Sequence, residues 1–311
     1  MTSAQSKTNP TWTLAHLMLL NKYVRGRQVD LGGNAHWDQH WLVALRESIQ
    51  DTTKRFVESG LLEECPLLDR VTCKFNQIAL KQMLRDRGLK VSGRKDELAN
   101  RLVATDRDGM LEATREYVMM RCTEKGLQLA KEFSARTEEM QQTALQALRR
   151  KDLETAVRCV CQYQDELGFP EDPTFPTRPD IAALRRIFSA KPKILCPVGD
   201  EVLDTLRVAA GMAFLGIKGQ WISDDLEISP TLDGVSAVGM IISKVQSDRN
   251  LEGYKQGGVT QVKVIGSADG PCTRCEAIQS KTWKLISVPE LPYEHCTSEG
   301  GCRCCYIAVL D

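Results

Sequence analysis

Residues 168–180, GFPEDPTFPTRPD, place four prolines within thirteen positions. Each proline lacks a backbone N–H and fixes its own φ, so neither a helix nor a central strand can run through this stretch. The segment reads as an extended linker. It forbids any fold in which the 311-residue chain is one continuous helical body. Length alone favours two or three compact units.

Upstream of the linker the apolar spacing is helical. Leu14, Leu17, Met18 and Leu20 give an amphipathic helix within 12–23; Gly32-Gly33 interrupts it; Leu42, Leu45, Ile49, Phe56 and Leu61 resume the period. Residues 11–73 therefore read as an N-terminal helical unit. Across 107–167 the pattern predicts further helices, with breaks near Lys125-Gly126 and Lys151-Asp152 and the last two packed as a hairpin. After the linker, 181–256 reads as a helical region with helices over 181–190, 200–215 and 235–256. From Gln261 the character changes. QVKVIGS alternates as a strand does, and CYIAVL reads as the closing strand of a small C-terminal module over 257–311. The fold class expected is mainly α and multidomain, with a small α+β, β-hairpin module at the end.

Lys plus Arg and Asp plus Glu balance at 41 each, so global charge predicts no partner, and any polyanion site must come from local clustering. The 42% hydrophobic and 26% charged composition belongs to a core-forming chain rather than a disordered one. The longest apolar run, 208–217, is too short to span a bilayer, and the first residues lack a secretion-signal layout. A cytoplasmic protein with no membrane partner is expected.

The local cluster exists. LKQMLRDRGLKVSGRKDELANRL, 80–102, shows two short helical patterns around a glycine-marked turn. Leu80, Leu84 and Leu89 line the first helix; Leu98 and Leu102 line the second. Gly88 suits the left-handed residue that stops a helix, Ser92 suits an N-cap, and Gly93 permits an unusual backbone before Arg94 and Lys95. Eight basic residues (Lys74, Lys81, Arg85, Arg87, Lys90, Arg94, Lys95 and Arg101) face only Asp86, Asp96 and Glu97. The N–H groups opening the second helix, beside Arg94 and Lys95, suit a phosphate. Such contacts position a protein on a duplex without selecting its sequence.

These residues resemble a SAP domain, whose pattern is a leucine-rich helix, Arg-Gly-Leu, then Gly-x-Lys-x-x-Leu-x-x-Arg-Leu. Here they are Leu80, Leu84, Arg87-Gly88-Leu89, Gly93, Lys95, Leu98, Arg101 and Leu102. The resemblance covers 74–106. It implies a helical hairpin that binds double-stranded DNA, often AT-rich, through Lys81, Arg85, Arg87, Lys90, Gly93, Arg94, Lys95 and Arg101.

Six of the 12 cysteines lie in the last forty residues: Cys272, Cys275, Cys296, Cys302, Cys304 and Cys305. Clustered cysteines of this kind read as metal ligands, whereas the scattered Cys65, Cys73, Cys122, Cys159, Cys161 and Cys196 behave as small hydrophobes. Tetrahedral Zn2+ takes four N or S ligands at about 2.0–2.3 Å. Cys272 and Cys275, as Cys-x-x-Cys, supply two. Cys302 and Cys304 share a face if extended and are the first choice for the second pair, with Cys296 and His295 as alternates; Cys305 is expected to face away and be buried. A shell filled by protein ligands describes a structural ion. The order Cys272, Cys275, Trp283, Leu291-Pro292, His295, Cys302-Arg303-Cys304 is similar to the C-terminal knuckle of phage head-morphogenesis (minor capsid) proteins, with an insertion at 296–301. The resemblance implies a metal knuckle and admits a capsid-associated role.

His36 and His40 stand one helical turn apart with Asp38 between, but without the glutamate of a metalloprotease helix; with Trp37 and Trp41 they read as an aromatic cluster. Asp224-Asp225 reads as a solvated acidic pair. No nucleophile–histidine–carboxylate order stands out, so no catalytic residue is assigned. The expectation is a non-enzymatic, weakly sequence-specific DNA-binding protein of a bacterium or mobile element, whose middle helices offer a protein-partner or self-association surface. The alternatives are an assembly protein of phage descent and a DNA-processing enzyme with a centre in the middle region.

Overall fold

The computed structural model describes residues 12–29, 35–171, 178–223, 225–229, 232–266 and 272–309, without the side chains of 35 and 36. Gly32-Gly33, the histidine side chain at 36, the aspartate at 224 and the middle of the proline segment lie outside the described residues. The chain divides into two compact units, Met1–Glu138 with Tyr163–Pro170, and Glu139–Gln162 with Glu171–Asp311. Among the described residues there are thirteen α-helices and eight short strands, and no helix is long and apolar enough to cross a membrane.

The first unit opens with α1 (Leu14–Asn21), buried around much of its circumference through Ala15, His16, Leu17, Leu19 and Leu20. It is a core helix rather than the one-sided helix its spacing suggested. β1 (Arg27–Gln28) and α2 (Ala35–Leu45) follow. The continuous helical period expected across 42–62 breaks at Arg46, whose φ of 61° is left-handed, and Ser48 then caps α3 (Ile49–Glu58) by accepting the Asp51 N–H at 3.0 Å. Leu61 enters the core from a turn, and β2 (Leu62–Glu64) leads to α4 (Leu67–Lys74). α5 (Gln77–Asp86), α6 (Lys95–Thr105) and α7 (Arg107–Ala113) come next, then β3 (Met119–Cys122). The chain passes into the second unit along α8 (Glu124–Arg149) and returns on α9 (Leu153–Leu167).

β3 is the centre of an antiparallel sheet ordered β1-β3-β2, with Arg27 opposite Met120 and Leu62 opposite Cys122. The all-helical reading of 11–73 and 107–167 missed this sheet, because strands of two to four residues are too short to display alternation. The break expected at Lys125-Gly126 falls earlier, over 114–123. Gly126 lies in the first turn of α8, where a β-carbon would strike the Leu61 carbonyl. It is glycine because two backbones touch there. The other expected break is present: Lys151 has φ 59°, and Asp152 accepts the Thr155 N–H to start α9.

Among the described residues of the first unit, two apolar clusters stand out. Leu19, Leu20, Tyr23, Trp41, Phe56, Leu61 and Met120 build one. Leu67, Val71, Leu80, Leu84, Leu98, Ala99, Leu102 and Met110 build the other, so the cationic hairpin has an apolar centre closed by α4 and α7 on either side of it in sequence. Leu80, Leu84, Leu98 and Leu102 are wholly buried, and truncating any one to alanine costs about 2–5 kcal/mol.

In the second unit α10 (Ile181–Ser189) and α11 (Asp200–Phe214) pack closely; a β-carbon on Gly211 would press against Leu148, Leu184 and Phe188. β4 (Glu227–Ser229) and β5 (Leu232–Asp233) form a two-stranded ribbon whose Asp233 caps α12 (Gly234–Gln256). β6 (Gln261–Ile265), α13 (Thr273–Gln279), β7 (Thr282–Lys284) and β8 (Cys305–Val309) complete the chain. Their sheet is ordered β7-β6-β8 and antiparallel throughout, Val262 opposing both Trp283 and Ala308. Val262, Val264 and Tyr306 face inward and Cys305 faces out, exposed rather than buried, as strand alternation from the inward Tyr306 requires.

Candidate nucleic-acid interface and cysteine centre

Asn76 starts α5 by accepting the Ala79 N–H at 2.9 Å. The helix stops at Gly88 (φ 65°): the Gly88 N–H donates to Arg85 O at 2.9 Å and the Leu89 N–H to Leu84 O at 2.8 Å, the pair that satisfies a helix end through a left-handed glycine. Residues 88–94 then cross to α6. The Arg101 guanidinium donates to the carbonyls of Lys90 and, at 3.3 Å, Ser92; Gln77 reaches the Gly93 carbonyl at 3.4 Å. The loop is therefore pinned from both helices.

The N-cap of α6 is Arg94, not Ser92. Its backbone N–H donates to Glu97 Oε2 at 3.1 Å, and a β-carbon on Gly93 (φ 129°) would collide with that carboxylate. Glycine is thus required at 93 both for backbone and for space. The chemistry follows directly: the helix start expected to receive a phosphate carries a carboxylate of its own, supplied by the glutamate three residues in. The run Arg94-Lys95-Asp96-Glu97 holds that signal, an acidic side chain at the third helical position.

The eight basic residues divide by use. Lys74 donates to Ala113 O at 2.7 Å and lies over Phe75 and Tyr117. Arg87 bonds Asp106 Oδ2 at 2.8 Å and Met83 O at 3.0 Å, joining the end of α5 to the cap of α7. The Arg87 bond, with the Gly109 N–H, holds the Asp106 carboxyl below the usual carboxylate range. Arg101 is spent on the loop carbonyls. Lys81, Arg85, Lys90, Arg94 and Lys95 remain on the surface with no ion pair among the described residues, Lys81 and Lys95 half-buried and the others exposed.

The hairpin thus sets five surface cations around a pinned loop over a small apolar core, an arrangement able to meet a polyanion. Residues 74–107 match the family model of the SAP domain, a match that suggests nucleic-acid binding by this segment. No curated protein and no solved structure matches the chain.

The C-terminal cysteines converge. Cys272 caps α13 and Cys275 follows in its first turn. The sulfurs of Cys272, Cys275 and Cys296 lie within 4.8 Å of one another, and so do those of Cys275, Cys302 and Cys304. Cys275 belongs to both groups, and Cys272 and Cys296 are 3.8 Å apart. Cys275, Cys302 and Cys304 are buried. Gly300 and Gly301, at φ 72° and 83°, turn the chain into Cys302, where a β-carbon on Gly301 would strike Met240 and Leu232. His295 is in neither group; its side chain is 63% exposed beside Glu294 and Tyr293.

Burial opposes ionisation of the Cys272 thiol, but the N–H groups of Thr297 and Cys275 and those residues' side chains outweigh it and bring it down to about 5. Burial, then the neighbouring thiols, pushes Cys275 up. The bond to Cys302, then burial, pushes Cys296 up. At Cys302 the bond to Cys296 favours the thiolate, yet Cys304 and burial prevail and raise it. One thiolate forms readily and its neighbours resist, as crowded sulfurs do without a cation between them. The donor set, sulfur alone and partly buried, could hold a metal ion, and it fits Zn2+ or another thiophilic ion rather than Mg2+ or Ca2+.

Proposed function

We propose that this protein binds double-stranded DNA through the hairpin at 74–107, by phosphate contacts of low sequence selectivity, and acts by binding rather than by catalysis. The observation that carries the reading is the set of five cations, Lys81, Arg85, Lys90, Arg94 and Lys95, which make no ion pair among the described residues and surround a loop that two helices hold in place. Gly93 serves by backbone conformation, while Arg87 and Arg101 serve by holding the module together. Replacing Arg94 and Lys95 together by glutamate tests the reading. With up to five phosphate contacts the logarithmic salt slope is about −4 to −5, and the double variant brings it to about −3 with a collapse of affinity and no loss of helix content. Unchanged affinity overturns the reading. Metal-dependent cleavage of the duplex by the purified chain overturns its non-enzymatic part.

The cysteine centre, in this reading, folds the C-terminal module around one structural Zn2+, which would supply cross-linking and no reaction. Cys272, Cys275, Cys296 and Cys302 would hold it: Cys296 is grouped with the first pair and bonded to Cys302, while the Gln279 amide lies 3.9 Å from Cys304. Elemental analysis of the reduced protein checks this. One equivalent is expected in the wild type and in Cys304→Ser, and well under one in Cys296→Ser; less than half an equivalent in the wild type, with the module still folded, sinks it. A capsid-associated role remains the second reading, favoured by the convergence of the cysteines shared with the knuckle of phage head-morphogenesis proteins. Unchanged duplex affinity in the double variant would put it ahead.

A further inference from the structure

Ile78 is 79% exposed, although it sits in the first turn of a helix whose opposite face is a complete leucine core. Its helical neighbours at i+3, i+4 and i+7 are Lys81, Gln82 and Arg85. An apolar side chain thus stands at the N-terminal end of a polar face that carries two cations. The bond from Gln77 to Gly93 sets this turn beside the loop that bears Arg94. Water gains nothing from such an isoleucine, and an apolar protein partner would have to desolvate Lys81 and Arg85 to reach it. A duplex has phosphates for both cations, and its major groove, which admits an α-helix, offers one apolar group on a base edge, the thymine C5-methyl.

We propose that the exposed face of α5 enters the major groove and that Ile78 packs on a thymine methyl while Lys81 and Arg85 meet the flanking phosphates. This rests on the DNA-binding reading above and adds to it a groove, a face and a base preference. Burying one methyl group is worth about a fourfold change in affinity.

The test uses the full chain and two duplexes of identical sequence, one with thymine and one with deoxyuridine, which lacks only that methyl. The wild type should bind the thymine duplex about fourfold more tightly or better, depending on how many methyls are reached. Ile78→Ala should bind both duplexes equally, at reduced affinity and with the wild-type salt slope; the exposure of the side chain leaves the fold intact, which circular dichroism verifies. Equal wild-type binding to the two duplexes overturns the proposal. So does an unchanged thymine preference in Ile78→Ala. Loss of affinity in Ile78→Ala without any thymine preference in the wild type would instead assign Ile78 to sugars or other base edges and also overturns it. Failure of the wild type to bind either duplex removes the underlying DNA reading, and is told apart by that fact.

Discussion

Arg101 separates two roles that a basic residue in such a module can have. Its guanidinium spans the carbonyls of Lys90 and Ser92 from a half-buried position, so it holds the loop that carries Arg94. A hydrogen bond from a charged donor is worth about 1.5–3 kcal/mol when protected. Solvent competes here, so the pair together is worth about 1–2 kcal/mol. Arg101→Ala should therefore raise the opening equilibrium of the hairpin about 5- to 30-fold, read as faster hydrogen exchange at the Leu98 and Leu102 amides of the full chain. Arg101→Lys keeps the charge but loses the planar fork that reaches two carbonyls, so it should exchange nearly as fast as the alanine variant. Both should lose DNA affinity while keeping the wild-type salt slope, because no phosphate contact has gone. Arg101 would instead be a phosphate contact if Arg101→Ala lowers the slope by about 0.9, the value of one phosphate, while exchange is unchanged and Arg101→Lys restores affinity.

Other expectations follow from the same geometry. Glu97→Gln preserves an acceptor for the Arg94 N–H and removes a negative charge from the helix start, so duplex affinity measured by anisotropy should rise about two- to fivefold. Burial, then Arg55, holds the His16 imidazole below its ordinary value, with Glu47 opposing. The unfolded chain takes up that proton more readily, so the first unit loses stability as pH falls from about 6.5 toward the lower folded value, a slope that His16→Gln should flatten in urea titrations followed by tryptophan fluorescence.

Much of the cationic hairpin was legible because its determinants are local. The left-handed glycines at 88 and 93 and the leucines at 80, 84, 98 and 102 each answer to backbone geometry or to a short period. What eluded the sequence was the use of each charge. Arg87 pairs with Asp106, nineteen residues away, and Arg101 with carbonyls nine and eleven residues away, and no spacing rule distinguishes such a staple from a free phosphate contact. The cysteines show the same division. Their crowding in the tail announced a cluster, but the grouping of the sulfurs into two triads that share Cys275 depends on how segments twenty to thirty residues apart are brought together. The short sheet β1-β3-β2 was invisible for a different reason, since each strand is defined by partners far away in sequence and none is long enough to alternate.

By itself the chain's sequence determined the mainly helical class, the turn chemistry of the hairpin, its excess of positive charge and the concentration of thiols at one end. Those are properties of neighbouring residues, set by φ preferences, helical period and composition. Only the tertiary structure decided which arginines are tied to the fold, that Ile78 is left in solvent and that five sulfurs meet. Each of those depends on side chains finding partners across the fold, where distance in space is free of distance along the chain.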